Sequence, residues 1–264
     1  MKNFLRIFSL VFLLQSCESI KSYKKQNQIV ELKNDNKFMS LKAPKGYCFY
    51  DKNDAVEKDV INIVSAINKS EGARLELLLQ DCEEKKNFLI STNPTFRNTL
   101  MIFSFSPENL KIIKKYRLDR DRKTFVEFHH KSGEKETVAS INKLVNKTII
   151  PYIKKHNDLT LIDKSTALNL SQKEELKLAH GEIFKKKKHI ALTLDKKFAP
   201  EIADYEASSY QIGKITYYCS NATSLINYIP LNFFLCEEII TDKTKSIDER
   251  LLEYVKETIK LNKD

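Results

Sequence analysis

The sequence predicts an α+β body, an antiparallel β-sheet covered by amphipathic helices. Three observations carry that expectation. Apolar residues recur at helical spacing in separated windows, among them Val56, Val60, Ile63, Val64 and Ile67, and Ile247, Leu251, Val255 and Ile259. Runs rich in β-branched and aromatic residues follow one another through most of the stretch from Leu159 to Ile240, which is the order of an antiparallel meander. Finally, neither GxGxxG nor GxxxxGK[ST] occurs and the chain holds only 5 glycines, so the parallel nucleotide-binding architectures are disfavoured.

In chain order, Phe38–Leu41 and Tyr47–Tyr50 read as short strands around an Ala43-Pro44-Lys45-Gly46 turn. Asp54, with Glu57 three residues on, opens a helix that Gly72 closes. Leu75, Leu77 and Leu79 share one face of a strand running to Cys82, although Leu78 breaks the alternation. Phe88–Ser91 and Leu100–Phe105 read as further strands, and Pro107 opens a helix through Leu110, Ile113 and Tyr116. A charge run, Arg117–Lys123, follows. A helix over about Lys135–Ile150 precedes Pro151, and from Leu159 to Ile240 the pattern is largely that of strands, over Gly181–Phe184, Ile190–Leu194, Tyr210–Cys219, Ser224–Tyr228 and Leu231–Ile240. Ser246 and Glu249 have capping-box spacing and start a last helix.

The first seventeen residues, MKNFLRIFSLVFLLQSC, have the grammar of an export signal: Lys2 and Arg6, a bare apolar run from Ile7 to Leu14, then Leu-Gln-Ser-Cys. The run is too short for a membrane span, which takes ~20 apolar residues. The last four residues resemble the lipobox of bacterial lipoproteins. That resemblance implies a diacylglycerol on Cys17, cleavage before it, and a periplasm-facing protein held to the membrane. Glu18, in place of the aspartate that retains enterobacterial lipoproteins at the inner membrane, points to the outer membrane. The expected organisation is a signal peptide over 1–16, a polar lipid-anchored stalk over 17–37, and an α+β periplasmic domain over 38–264 with two strand-rich halves meeting near 156–160. The order of a strand pair, a helix, a meander and a closing helix resembles the PsbP-like fold. The ending CSNATSLINYIPLNFFLCEEI also resembles uncharacterised proteobacterial envelope proteins.

Removing residues 1–16, which carry two cations and no acid, lowers the formal charge from +10 to +8. Lysine outnumbers arginine 38 to 7, whereas readout of bases or bidentate phosphates favours arginine. No nucleic-acid partner is expected, and the charge reads as a basic surface suited to anionic headgroups or cell-wall carboxylates. With Cys17 lipidated, four cysteines remain. Two disulfides, Cys48–Cys82 and Cys219–Cys236, pair residues near in sequence. The alternatives are a four-thiolate metal site, against which the absence of CxxC stands, and buried free thiols.

No motif assembles a catalytic centre. Glu127, His129 and His130 form the densest donor cluster; in an extended segment Glu127 and His129 would share a face and could take a metal with a third ligand, but their neighbours are cationic. Ser140-x-x-Lys143 matches SxxK without a following KTG. His156, His180 and His189 offer no selected partner. The acid pairs Glu83/Glu84 and Asp119/Asp121 sit in charge runs and read as solvated; Glu237/Glu238 reads as the wetted end of an apolar strand. Tyr205, Tyr210, Tyr217 and Tyr218 line a sheet near Cys219, as core rims or as a ligand groove. No metal and no cofactor is expected. The sequence therefore points to a non-catalytic binding or assembly role beside an envelope protein partner. A small-ligand carrier with a sheet–helix cavity and an envelope hydrolase with a dispersed site are the alternatives.

Overall fold

A computed structural model describes residues 29–34, 37–69, 73–133, 137–144, 146–147, 160–179, 189–212, 215–238, 240 and 244–262. The architecture is α+β, with an antiparallel sheet covered by helices. A hairpin comes first, β1 (Ile29–Asn34) antiparallel to β2 (Lys37–Lys42). β1 thus lies inside the stretch whose composition reads as stalk. Alternating Val30, Leu32, Met39 and Leu41 explain the difference, because they pack on the main core.

The main sheet takes β3 (Tyr47–Phe49), β4 (Arg74–Asp81) and β5 (Thr99–Ser104) from the first half of the chain. The second half supplies a four-strand meander, β6 (His189–Ala199), β7 (Ala203–Ile212), β8 (Ile215–Ile226) and β9 (Ile229–Glu237). The seven strands run in the order β3-β4-β5-β9-β8-β7-β6, all neighbours antiparallel. β5 pairs with β9 from Thr99↔Cys236 to Ser104↔Leu231, so the two strand-rich halves share one sheet. Asn227 and Tyr228, both at positive φ, form the two-residue β8–β9 turn. Gly46, at φ 87°, closes the predicted turn before β3; the Tyr47 N–H donates to Pro44 O at 3.0 Å.

Helices cover both faces. Helices α1 (Ala55–Lys69) and α2 (Cys82–Ile90) lie over the β3–β5 end. Helices α3 (Pro107–Lys115), α4 (Arg122–Gly133), α5 (Val138–Leu144), α6 (Thr160–Lys164) and α7 (Leu170–Lys177) occupy the long connection between β5 and β6. The last helix, α8 (Ile247–Leu261), packs on the opposite face against β7, β8, β9 and β2. One core joins Leu77, Leu79, Ile102 and Phe233 to Leu251, Tyr254 and Val255 of α8. A second joins Leu78 and Phe96 to Val60, Val64, Phe88 and Leu176. Leu78 breaks the alternation of β4 because it faces this second layer, so both faces of the strand are apolar.

Three local expectations are corrected. Phe88–Ser91 is the end of α2, not a strand: Asp81 Oδ1 accepts the Glu83 and Glu84 N–H groups and nucleates a helix whose Phe88 is fully buried. The region after Leu159 begins with α6 and α7, the latter capped by Asn169, whose side chain accepts the Gln172 N–H at 3.0 Å. Tyr210–Cys219 is the junction of β7 and β8, not one strand. The predicted strand at 181–184 lies outside the described residues; of the predicted 135–150 helix, Val138–Leu144 is helical as expected, and residues 135, 136, 145 and 148–150 lie outside the described residues.

Candidate functional site

The cysteines expected to pair do so. Cys48 and Cys82 are joined across Cα atoms 5.1 Å apart, and Cys219 and Cys236 across 4.2 Å. The first bridge ties the edge strand β3 to the start of α2. The second links directly opposed residues of β8 and β9. Cys17, His156 and His180 lie outside the described residues.

Glu127, His129 and His130 lie on helix α4, not in an extended segment, so Glu127 and His129 do not share a face. The two rings converge instead on one acid from β7: His129 Nδ1 is 2.7 Å from Asp204 Oδ2 and His130 Nδ1 is 2.9 Å from Oδ1. Burial opposes ionisation of Asp204, but the two imidazole contacts outweigh it and hold the carboxyl below its usual range. An ionised carboxylate only accepts, so each ring donates through Nδ1. The His130 ring also stacks on Phe198 of β6, centroids 4.4 Å apart. The pair therefore fastens α4 to the meander. Among the described residues no group of three His, Cys, Asp or Glu side chains is arranged to hold a metal. Asp204→Asn removes a charge-assisted acceptor from two partly exposed donors and should cost about 1 kcal/mol in urea unfolding at neutral pH. Because the folded-state pKa is depressed, this contribution is present above the ordinary aspartate range and fades as pH falls through the folded value; the variant should accordingly lose less stability on acidification.

Of the acid pairs, Glu83 and Asp121 are exposed as expected, whereas Glu237 is not the wetted end of its strand. Glu237 is fully buried; Arg250 of α8 grips both its oxygens, Nη1 donating to Oε1 at 3.0 Å and Nη2 to Oε2, and the Tyr47 hydroxyl donates to Oε1 at 2.6 Å. Burial, then the adjacent Glu237 charge, pushes the Tyr47 phenol far above its ordinary range, so it stays a donor. Glu238 accepts Arg97 Nη1 at 2.6 Å, and Glu175 accepts the Phe96 N–H at 3.0 Å. Glu84 is held by Asn98, whose Nδ2 donates at 2.6 Å; burial raises its pKa. Lys85, 4% exposed, donates to Glu57 Oε2 at 2.7 Å and sits over the Tyr50 ring. None of these partnerships has a local sequence signal, since Arg97 and Glu238 meet through strand pairing, and Lys85 and Glu57 through two helices packed side by side.

Ser140 takes part in the first turn of α5: its hydroxyl donates to Thr137 O at 2.8 Å and accepts the Thr137 N–H at 2.7 Å, so the SxxK match belongs to a helix start. Tyr210 and Tyr217 are opposed on one face of β7–β8, while Tyr205 and Tyr218 pack against the α8 core on the other, so the four do not line one groove.

An open concavity of about 320 Å³ lies where α4 begins beside the β8–β9 turn. Its wall is polar and of mixed charge, lined by Arg120, Arg122 and Lys123, by the acid Glu201, and by Asn227 and Asn262. Several of these groups stitch the fold. Arg122 Nε donates to Leu225 O at 2.6 Å, Asn227 Nδ2 to Phe38 O at 2.6 Å, and Asn262 Nδ2 to Ser40 O at 2.8 Å. Asp121 caps α4, its carboxylate held below the ordinary range by the Thr124 N–H and hydroxyl. The arrangement presents cations and amides to solvent, together with the exposed Glu201 carboxylate, which lies 3.5 Å from Lys123 Nζ. No family model, no curated protein and no solved structure matches this chain.

Proposed function

We propose that this is a lipid-anchored, periplasm-facing envelope protein, at the outer rather than the inner membrane, with a non-catalytic binding or assembly role. The anchor reading rests on the signal and lipobox pattern ending at Cys17. The non-catalytic reading rests on one observation. The carboxylates most withdrawn from water, Glu237, Asp248, Glu57 and Glu175, are each closed onto a cation or a backbone amide of the fold itself. Groups committed in that way strengthen the scaffold and leave the exposed basic surface to meet partners. No helix among the described residues is long and apolar enough to cross a membrane. A lipid on Cys17 supplies the attachment in this proposal, two or more acyl chains being needed for stable anchoring.

Mass spectrometry of the native protein is the direct test. The mature chain should start at Cys17 and carry the mass of a diacylglyceryl group, and Cys17→Ser should move the protein from the membrane to the soluble fraction. A chain still beginning at Met1 with an unmodified Cys17 would overturn the anchor. For the binding role, mild crosslinking in cells should recover an envelope protein bound to it; recovery as a single unpartnered species would count against that role.

A further inference from the structure

We propose that the α3–α4 elbow, residues 107–123, is a docking face for the anionic surface of a phospholipid bilayer. The proposal rests on the anchored reading above for proximity, and on the following geometry for the contact itself.

Helix α3 is amphipathic, but not in the way a simple cover helix is. Its inner face sets Ile113, with Leu110 against it, into a small core with Leu118, Phe125, Val126 and Leu225. Its outer face is not purely polar: Ile112 is 47% exposed and Tyr116, one turn on, is 60% exposed. These two apolar side chains stand among cations. Residues 107–123 hold seven Lys and Arg against Glu108, Asp119 and Asp121, a net of +4 in a mature chain whose total is +8. Lys111, Lys114, Lys115, Arg117, Arg120 and Lys123 are all exposed. Three of the chain's seven arginines fall in this one elbow. Lys115 Nζ lies 5.6 Å from the Tyr116 ring centroid, so the aromatic and a cation already share a site.

A soluble anion would need only the cations. A bilayer interface gives something to both sets: the headgroup charge attracts each nearby Lys or Arg, and the headgroup–acyl boundary accepts an aliphatic and an aromatic side chain flanked by long, snorkelling amines. The elbow is also preorganised. Ser106 Oγ accepts the Asn109 N–H at 3.2 Å at the start of α3, Arg117 is at positive φ, and the Leu118 N–H donates to Ile113 O at 2.9 Å, fixing the turn that presents the arginines. Proximity follows from covalent length. Eleven residues separate Cys17 from Ile29, the first residue of β1, and even fully extended they reach only about 40 Å. The body is therefore never far from the lipid surface, and a weak face becomes occupied through high effective concentration.

The chain contains no tryptophan, which gives a clean probe. In the full chain, Tyr116→Trp should show a blue-shifted emission and quenching by brominated lipid on vesicles of phosphatidylethanolamine and phosphatidylglycerol. The same protein on phosphatidylcholine vesicles should show neither, and high salt should reverse the signal. A control probe, Leu170→Trp, placed at a 73% exposed site on α7, should stay unquenched on both. Combining Lys114→Glu, Lys115→Glu and Arg117→Glu should weaken vesicle engagement of the probe roughly tenfold or more, with the far-UV spectrum unchanged. Emission from the Tyr116→Trp variant that is indifferent to phosphatidylglycerol, on protein that still cosediments with the vesicles, would overturn the docking face while leaving the anchor intact. A native chain that carries no lipid by mass spectrometry, with the blue shift of the Tyr116→Trp variant still induced by phosphatidylglycerol vesicles, would sink the anchor alone. A shift produced by purified peptidoglycan and not by phosphatidylglycerol would overturn the bilayer as the occupant.

Discussion

Replacing Arg250 by methionine should destabilise the protein by about 3–5 kcal/mol. Arg250 supplies the charge that makes a fully buried Glu237 tolerable, and the Tyr47 hydroxyl completes the acid's coordination. Removing the guanidinium leaves an anion at the end of β9 with one neutral donor and no access to water. The effect should appear as a lower urea midpoint with an unchanged slope. Glu237→Gln in the same background should recover part of the loss, because the uncompensated charge is gone while the amide still accepts from Tyr47. A double variant no better than the single one would show that the cost comes from lost packing of the Arg250 stem rather than from electrostatics. The same helix is latched a second time in its first turn, where Lys197 Nζ donates to Asp248 Oδ2 at 2.5 Å, and again at its end, where the Ser40 N–H donates to Asn262 Oδ1 at 2.7 Å. α8 is therefore held by charge at its start, by amides at its end and by an apolar stripe between.

The stripe was visible in the sequence and the latches were not. Ile247, Leu251, Val255 and Ile259 recur at helical spacing behind Ser246 and Glu249, whose carboxylate accepts the Ser246 N–H at 2.9 Å. Nothing within a few residues of Glu237 announces Arg250, which is in a different element, and an acid pair after an apolar strand reads naturally as its wetted end. The same reason hid Lys85–Glu57 and His129/His130–Asp204: sequence pattern reports contacts one turn or one strand apart, while these depend on sheet order and helix packing. Helix α4 was missed for another reason. A charge run leading into adjacent histidines has no apolar period of its own, and its buried residues, Phe125 and Val126, are consecutive. In contrast, the short apolar Phe88–Ser91 run favoured a strand only because length and composition cannot separate a four-residue strand from the last turn of a helix.

Loss of the Cys48–Cys82 bridge should cost more than loss of Cys219–Cys236, and loss of both should leave little stability. The bridges close separations of 34 and 17 residues, which the chain-entropy account translates into about 4 and 3 kcal/mol. Structure widens the difference. Cys219 and Cys236 face each other across a β8–β9 ladder whose register is already set by a two-residue turn and nine paired positions, so their link adds to an arrangement that exists without it. β3 has only three paired residues and one neighbour, β4. An edge that short is marginal alone, and the bridge to the start of α2 secures it. Cys48→Ser with Cys82→Ser should therefore lower the urea midpoint more than Cys219→Ser with Cys236→Ser, and hydrogen exchange in the first variant should rise first at Tyr47–Phe49. The reverse order would mean that the hairpin, not the edge, is the weak part of the sheet. The two contributions together, about 7 kcal/mol, are comparable with the whole stability of an ordinary domain. The chain should fold poorly wherever thiols are kept reduced, and well in an oxidising compartment, which is what the export proposed above requires.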